Sequence, residues 1–360
     1  MEGSRINALL DAVVIGAGTA GLATAYWLQR RGLSFTVLEA GDTASGAWPS
    51  YYDSLTLFTP ARHSALPGLP FGGDPDHYPT RAETIAYLQT YAAHFGFPVA
   101  REAQVVQVRP HGGGFDVKAA DGRVWRARAV VCASGTFRQP NWPDLPGANA
   151  FGGQTLHSSQ YRRPAPFAGQ RVIVVGAGNS AAQIAAELGQ AARVTLASRR
   201  PPQLFPQRPL GQDLTDWLAW SGVEQLPLGV FGRVPDAQPV IAVPGLRAAL
   251  DSGNPDLRSL FTAFTPTGVR WPDGQQEAVD SVIYATGYRW DGSYLPHAAL
   301  GRRGQPQQRL GVSATHRGLY FVGLPGQRTV ASGTIRAAGP DARYVVTRLA
   351  HHLETPHAQN

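Results

Sequence analysis

Two short glycine runs carry the clearest chemistry in this chain. The first, Gly16-Ala-Gly18-Thr-Ala-Gly21, follows the apolar run Asp11-Ala-Val-Val-Ile15 and opens a helical pattern from Leu22 to Arg31 that ends at Gly32. A second apolar run, Phe35-Thr-Val-Leu38, then ends in Glu39. Each part has a task in holding a dinucleotide. Gly16 permits the tight turn, Gly18 lets backbone N–H groups approach a pyrophosphate, and Gly21 allows close packing of helix on strand. The helix N-terminus faces the phosphates, and Glu39 can accept from ribose hydroxyls.

The second run repeats the plan with a different ending. Arg171-Val-Ile-Val-Val175 leads into Gly176-Ala-Gly178-Asn179-Ser180-Ala181, a helix to Leu188, and the strand Arg193-Val-Thr-Leu-Ala197, after which stands Ser198-Arg199-Arg200. A carboxylate at that place would repel a 2′-phosphate, whereas arginines pair with it bidentately. The first site is therefore expected to hold a dinucleotide with a free ribose and the second to prefer NADPH. The alternative is that two arginines stand there only because the chain is rich in them.

The elements that must position these loops are duplicated as well. The stretch from Asp121-Gly122 to Ala133-Ser134-Gly135 aligns without a gap with that from Asp273-Gly274 to Ala285-Thr286-Gly287. Both read as an Asp-Gly hairpin turn, an alternating strand, and a buried strand ending in Ala-Ser/Thr-Gly. The expected fold is α/β with two Rossmann-like, three-layer ββα dinucleotide-binding domains, the second inserted in the first. The expected boundaries are 1–163 with 288–360 for the outer domain and 164–287 for the inner one. The chain would cross between them in Asn141–Pro166 and again just past Gly287.

Composition narrows the classes further. With 360 residues, 43% hydrophobic and 16% charged, the chain is long enough for two domains and too apolar for disorder. The formal charge is +7, yet Lys118 is the only lysine and the arginines form no basic run, so no nucleic-acid surface is expected. The single cysteine, Cys132, excludes an internal disulfide, a Cys-x-x-Cys redox pair, and a cysteine-based metal site. No metal is expected. Without a leader h-region or an apolar run of about 18 residues, a soluble cytoplasmic protein is expected.

The segment before the second glycine run, Phe151-Gly-Gly153-Gln-Thr-Leu-His157-Ser-Ser-Gln-Tyr161-Arg162, matches the F-x-G-x-x-x-H-x-x-x-Y-[KR] signature of flavin-containing monooxygenases. Gly46-Ala-Trp48-Pro-Ser-Tyr51, Tyr78-Pro79-Thr80 and Ala285-Thr286-Gly287-Tyr288 extend the likeness over most of the chain. The sequence most resembles the short bacterial CzcO-like group, with plant YUCCA enzymes as relatives. The resemblance implies FAD in the outer domain, NADPH in the inner one, and O₂ and a small-molecule substrate in the cleft between them. It implies hydride transfer to the flavin, then a C4a-hydroperoxyflavin that oxygenates a soft nitrogen or sulfur centre. No acid–base pair is demanded. The competing readings are an NAD(P)H-dependent flavin oxidoreductase or oxidase without oxygen insertion, and a non-catalytic nucleotide-binding redox sensor.

The resemblance also nominates individual residues. Thr80 either contacts the flavin or caps a helix over Ala82–Phe95. His157 and Tyr161 either position the hinge between domains or take part in catalysis. Gly46 belongs to the flavin-side loop, Trp48 either flanks the flavin ring or packs, and His63 either touches cofactor or is a satisfied loop histidine. Val105 and Val106 are placed beside the adenine through their backbone. The C-terminal part reads as a loop over Gly333–Pro340 and a helix from Pro340 to about Leu353, with a disordered tail after Glu354. For Pro201–Thr267, rich in proline and aromatics (Trp217, Trp220, Phe231, Phe261, Phe264), a cap over the active site, a homodimer contact and a surface subdomain all stand open.

Overall fold

The computed structural model describes residues 9–227, 240–242 and 245–354. Phe231 and the tail beyond Glu354 lie outside the described residues. In the outer domain β1 (Leu10–Ile15) runs parallel to β2 (Phe35–Leu38), which carries the short β3 (Val99–Ala100) at its edge. A meander follows, β4 (Val105–His111), β5 (Gly114–Ala119) and β6 (Val124–Cys132), and the end of β6 leaves the meander to lie parallel beside β1. Three later strands, Gln308–Arg309, Val312–Ser313 and Leu319–Phe321, complete the sheet on the far side of β6.

Helices α1 (Thr19–Arg30) and α2 (Arg81–His94) and the C-terminal helix Ile335–Glu354 pack on one face of this sheet, and the meander packs on the other. β1 is buried on both faces: Ala12 and Val14 join Leu22, Leu28 and Val345, while Val13 and Ile15 join Val117, Trp125 and Phe321. That explains why it reads as a continuous apolar run. Gly32, at φ +66°, closes α1 with bonds from Gly32 N–H to Gln29 O and from Leu33 N–H to Leu28 O, the left-handed cap that glycine adopts without strain.

The chain leaves this domain through β7 (Gln139–Pro140) and returns through Tyr288–Arg289, and the two crossings pair antiparallel. Between them lies a second sheet with the same local order. Its β9 (Arg171–Val175) is flanked in parallel by β10 (Arg193–Ser198) and by Ser281–Tyr284, as β1 is by β2 and β6. Helix α3 (Asn179–Leu188) covers one face, and the small meander 263–278 covers the other. The inserted, duplicated three-layer plan is thus present in both domains.

Two boundaries differ from the sequence reading. β8 (Gln154–His157) pairs with Ser281–Tyr284 in the inner sheet, so the first crossing falls at residues 139–140, just ahead of the expected stretch Asn141–Pro166, and β8 lies on the inner side of the boundary expected at 163. β8 is an edge strand in which only His157 is buried, and no apolar run marks it. The C-terminal helix begins at Ile335 and carries Pro340 inside it. A proline there removes one helical hydrogen bond and costs about 3 kcal/mol in an isolated helix. The turn is held by tertiary contacts: Ala337, Ala338 and Gly339 are buried, and the Trp27 indole N–H donates to Gly339 O at 3.0 Å.

Candidate functional site: two glycine cradles and the seam between them

The two halves of the duplication meet at each cradle. A Cβ on Gly16 would collide with the carbonyl oxygen of Ala133, and a Cβ on Gly176 with that of Ala285, so each glycine loop lies directly on the Ala-Ser/Thr-Gly strand end of its own domain. Both glycines have positive φ, +101° and +153°. A Cβ on Gly21 would overlap the Gly16 carbonyl, which fixes the approach of α1 to the loop. In the second copy Ala181 takes this place and is tolerated, completely buried.

The middle glycines face open space. A Cβ on Gly18 would meet only Gly46 Cα at 3.8 Å, and one on Gly178, Gly135 or Gly287 would meet nothing within 4 Å. Gly18 and Gly178 are the N-caps of α1 and α3, and neither helix has a side-chain cap. Each cradle therefore presents uncapped helical N–H groups beside glycines whose missing side chains leave the approach clear of protein, which fits a pyrophosphate. Gly46, at φ +57°, has its Cα against Gly18; a Cβ there would lie 2.7 Å from Gly18 Cα.

Around the first cradle, Glu39 is buried, accepting from Ala17 N–H at 2.7 Å and Gly41 N–H at 2.9 Å. Its carboxylate is fixed at the end of β2, with lone pairs remaining for ribose hydroxyls. Glu102 N–H donates to Gly41 O and Ala103 N–H to Glu39 O, bringing the start of β4 to the same place. The pairing of β4 is irregular between Val105 and Gln107, so a bulge falls at Val106. Around the second cradle, Asn179 Oδ1 accepts from Ile241 N–H, Ser180 lies in the first turn of α3, where the Tyr52 hydroxyl donates to Gln183 Oε1, and Ser198 Oγ donates to Arg200 O. Arg199 and Arg200 are exposed, and neither forms an ion pair with the described residues.

The structure sorts the remaining candidates. Thr80 is exposed and caps α2 in a reciprocal box: Glu83 N–H donates to Thr80 Oγ1, and Thr80 N–H to Glu83 Oε2. Tyr161 is buried and donates to Glu187 Oε2 at 2.9 Å, pinning the linker to α3. His157 is fully buried. Its Nδ1 accepts from Ser159 N–H, which leaves Nε2–H to donate to Gly287 O at 3.0 Å. Burial holds its pKa below the ordinary 6.5, so the ring is a neutral tie between the linker and the second crossing. His63 turns its Nε2 toward Asp216 Oδ1 at 2.7 Å, as a satisfied loop histidine does.

An aromatic row spans the seam between the domains. Trp48 meets Tyr51 edge to face, Tyr51 meets Phe137, Phe137 meets Tyr288, and Tyr288 meets His157, at centroid distances of 5.6, 6.1, 5.7 and 4.9 Å. Burial, with Tyr288 and Tyr52 nearby, pushes the Tyr51 hydroxyl far above its ordinary range, so it stays protonated. Asn141 ties the crossings: its N–H donates to Gly287 O, its Nδ2 to Thr286 O, and its carbonyl accepts from Thr286 Oγ1. The sequence reading missed Asn141, Phe137 and Asp216; the only signal was the place of the first two beside the crossing. Among the described residues no group of His, Cys, Asp and Glu is arranged to hold a metal, and no helix is long and apolar enough to cross a membrane.

Comparison with known proteins agrees with this geometry. The model of the pyridine nucleotide-disulphide oxidoreductase family matches residues 13–218. An uncharacterized CzcO-like oxidoreductase of Geobacillus kaustophilus is 32% identical over 96% of this chain and 99% of its own length. A flavin-containing monooxygenase from Stenotrophomonas maltophilia superposes with a TM-score of 0.84 at 33% identity, covering 96% of this chain and 99% of that one. The chain belongs to the flavin-containing monooxygenase family. An indole-3-pyruvate monooxygenase, YUCCA1 of Oryza sativa, is 33% identical over 87% of this chain and 86% of its own. Members of this family use FAD and NADPH, and the two cradles of this chain fit such dinucleotides. The chain has no second cysteine with which to form an internal disulphide: Cys132 is the only one, it is buried, and burial pushes its thiol up to about 12.

Proposed function

We propose that this flavin-dependent monooxygenase oxygenates a small substrate at a soft nitrogen or sulfur centre, with FAD in the Gly16–Gly21 cradle and NADPH in the Gly176–Ala181 cradle. The observation that carries the reading is the pair of open glycine cradles, one per domain, joined by an aromatic seam. FAD held in the first cradle would supply the redox chemistry, two-electron reduction by NADPH and transfer of one oxygen atom of O₂ to the substrate. For a sulfide, sulfide, O₂, NADPH and a proton become sulfoxide, water and NADP⁺.

The chain's own groups bind and orient. Uncapped N–H groups of α1 and α3 receive the two pyrophosphates, Glu39 receives a ribose, and Arg199 and Arg200 receive the 2′-phosphate. Trp48, Tyr51, Phe137 and Tyr288 give the seam an aromatic wall. His157 and Asn141 hold the crossings in one register without moving a proton. Thr80 and Tyr161, engaged in a helix cap and a linker pin, have positioning roles only.

The test is turnover with methyl phenyl sulfide under ¹⁸O₂. Labelled sulfoxide formed in step with NADPH oxidation is expected. NADPH oxidation balanced wholly by hydrogen peroxide, with methyl phenyl sulfide and an aromatic amine alike, would replace this reading with an oxidase.

A further inference from the structure

Residues 204–226 leave the inner domain directly after Arg199 and Arg200 and bond to the outer domain. Their root belongs to the inner domain. Leu204–Pro206 pairs in parallel with Val240–Ala242, whose Ile241 N–H is held by Asn179 at the start of α3. Beyond the root the contacts change sides. Gln207 Nε2 donates to Phe58 O at 3.0 Å. Asp213, which caps helix α4 (Leu214–Ser221), accepts from the Tyr78 hydroxyl at 2.7 Å. Asp216 accepts from Arg62 Nη2 at 2.7 Å and faces His63 Nε2 at 2.7 Å. Glu224 is ion-paired with Arg336, in the first turn of the C-terminal helix, and its carbonyl accepts from Ala331 N–H.

The chemistry of these contacts is informative. Asp213, Asp216 and Glu224 are 3%, 7% and 6% exposed, so three carboxylates of one short segment are buried and each is met by a group of the other domain. Buried ion pairs add little net stability compared with apolar packing, but they fix one geometry, because a shifted partner leaves a charge uncompensated. Gln207 is 6% exposed, and its Oε1 has no partner among the described residues, so the seam has capacity for one more donor. Its amide is oriented by Phe58 O, which only the Nε2 end can serve.

We propose that residues 204–226 form a strap that sets where the NADPH domain sits over the flavin domain, with Asp216 as the positioning residue. The strap joins the arginines proposed to read the 2′-phosphate to the loop Pro60–Ser64 and to the start of the C-terminal helix. Through it, seating of the dinucleotide and approach to the flavin become one geometry. The inference rests on the two-cradle reading above, and its test separates the two.

Asp216→Asn keeps the shape and removes the charge. The holoenzyme variant is mixed anaerobically with NADPH in a stopped-flow spectrometer, and flavin bleaching is followed against NADPH concentration. The limiting rate of bleaching is expected to fall by about tenfold or more, since a misplacement on the order of 1 Å costs up to about 100-fold. The apparent NADPH dissociation constant should change by less than about threefold, because the strap does not itself touch the cofactor. Under air, the share of NADPH electrons released as peroxide should rise. Asp216→Glu should recover part of the rate. Glu224→Gln, at the other anchor, should reproduce the defect and decides the matter if Asp216→Asn does not fold. A wild-type limiting rate in the folded variants, or a fall in rate explained by lost FAD, would overturn the strap. Failure of NADPH to bleach the wild-type enzyme would instead overturn the two-cradle reading.

Discussion

Gly18→Ala should weaken FAD binding by about 10- to 100-fold while leaving the fold intact. Gly18 sits at φ −78° and ψ −171°, a backbone that alanine adopts freely, and its Cβ would touch only Gly46 Cα, at the ordinary contact distance of 3.8 Å. Replacing glycine by alanine restricts the unfolded chain and stabilises by about 0.4–1 kcal/mol where the native conformation is compatible. Alanine is a poorer N-cap than glycine, by about 0.5–1 kcal/mol. The two nearly cancel, so the apoprotein should unfold within about 0.5 kcal/mol of wild type. The methyl projects instead into the space where the pyrophosphate approaches the loop. Losing one charge-assisted hydrogen bond there costs about 1.5–3 kcal/mol, which weakens FAD by about 10- to 100-fold. Fluorescence titration of the apoprotein with FAD, beside urea unfolding followed by circular dichroism, reads both quantities. Gly21→Ala is the contrasting variant: its Cβ would overlap the Gly16 carbonyl, so it should lose stability and flavin together. A stable Gly18→Ala protein with wild-type FAD affinity would refute the placement of the cofactor.

Three further outcomes are expected. Reversing charge at Arg199 and Arg200 should raise KM for NADPH by about tenfold or more while moving KM for NADH little, since only the former carries a 2′-phosphate; equal effects in steady-state assays would show that the arginines read nothing specific. Thr80→Ala should cost about 1 kcal/mol in urea unfolding through loss of the cap on α2 and leave flavin reduction unchanged; slower reduction at full FAD occupancy would return Thr80 to the flavin site. Cys132, with its thiol pushed up to about 12 by burial, should resist a thiol reagent at pH 8 in the native protein and react fully in denaturant; rapid native labelling would show an exposed thiolate.

Much of the site was legible because it depends on backbone rules. Gly16 and Gly176 must take positive φ against a neighbouring carbonyl, and that demand is written as glycine in both copies. The Thr80 cap, the Gly32 stop and the Asp-Gly hairpins are equally local. What escaped the sequence reading was set by tertiary contact. β8 has the composition of a loop and becomes a strand only because Ser281–Tyr284 offers it an edge. Pro340 reads as a helix start, yet the helix begins at Ile335 because Trp27 and Pro67 hold the turn that the proline weakens. The Asp216 anchor joins residues 62, 63 and 216, and no spacing rule connects them.

The central claim is that one dinucleotide cradle holds FAD and the other delivers hydride to it, and Gly178→Ala tests it most directly. A Cβ at Gly178 meets nothing within 4 Å of protein, so the variant should fold and keep its yellow flavin. In anaerobic titration, wild-type enzyme should bleach with one NADPH per FAD, whereas Gly178→Ala should need a much higher NADPH concentration to bleach at all. Bleaching of the variant at wild-type NADPH concentrations, or loss of its FAD in place of its NADPH affinity, would contradict the assignment of the two cradles.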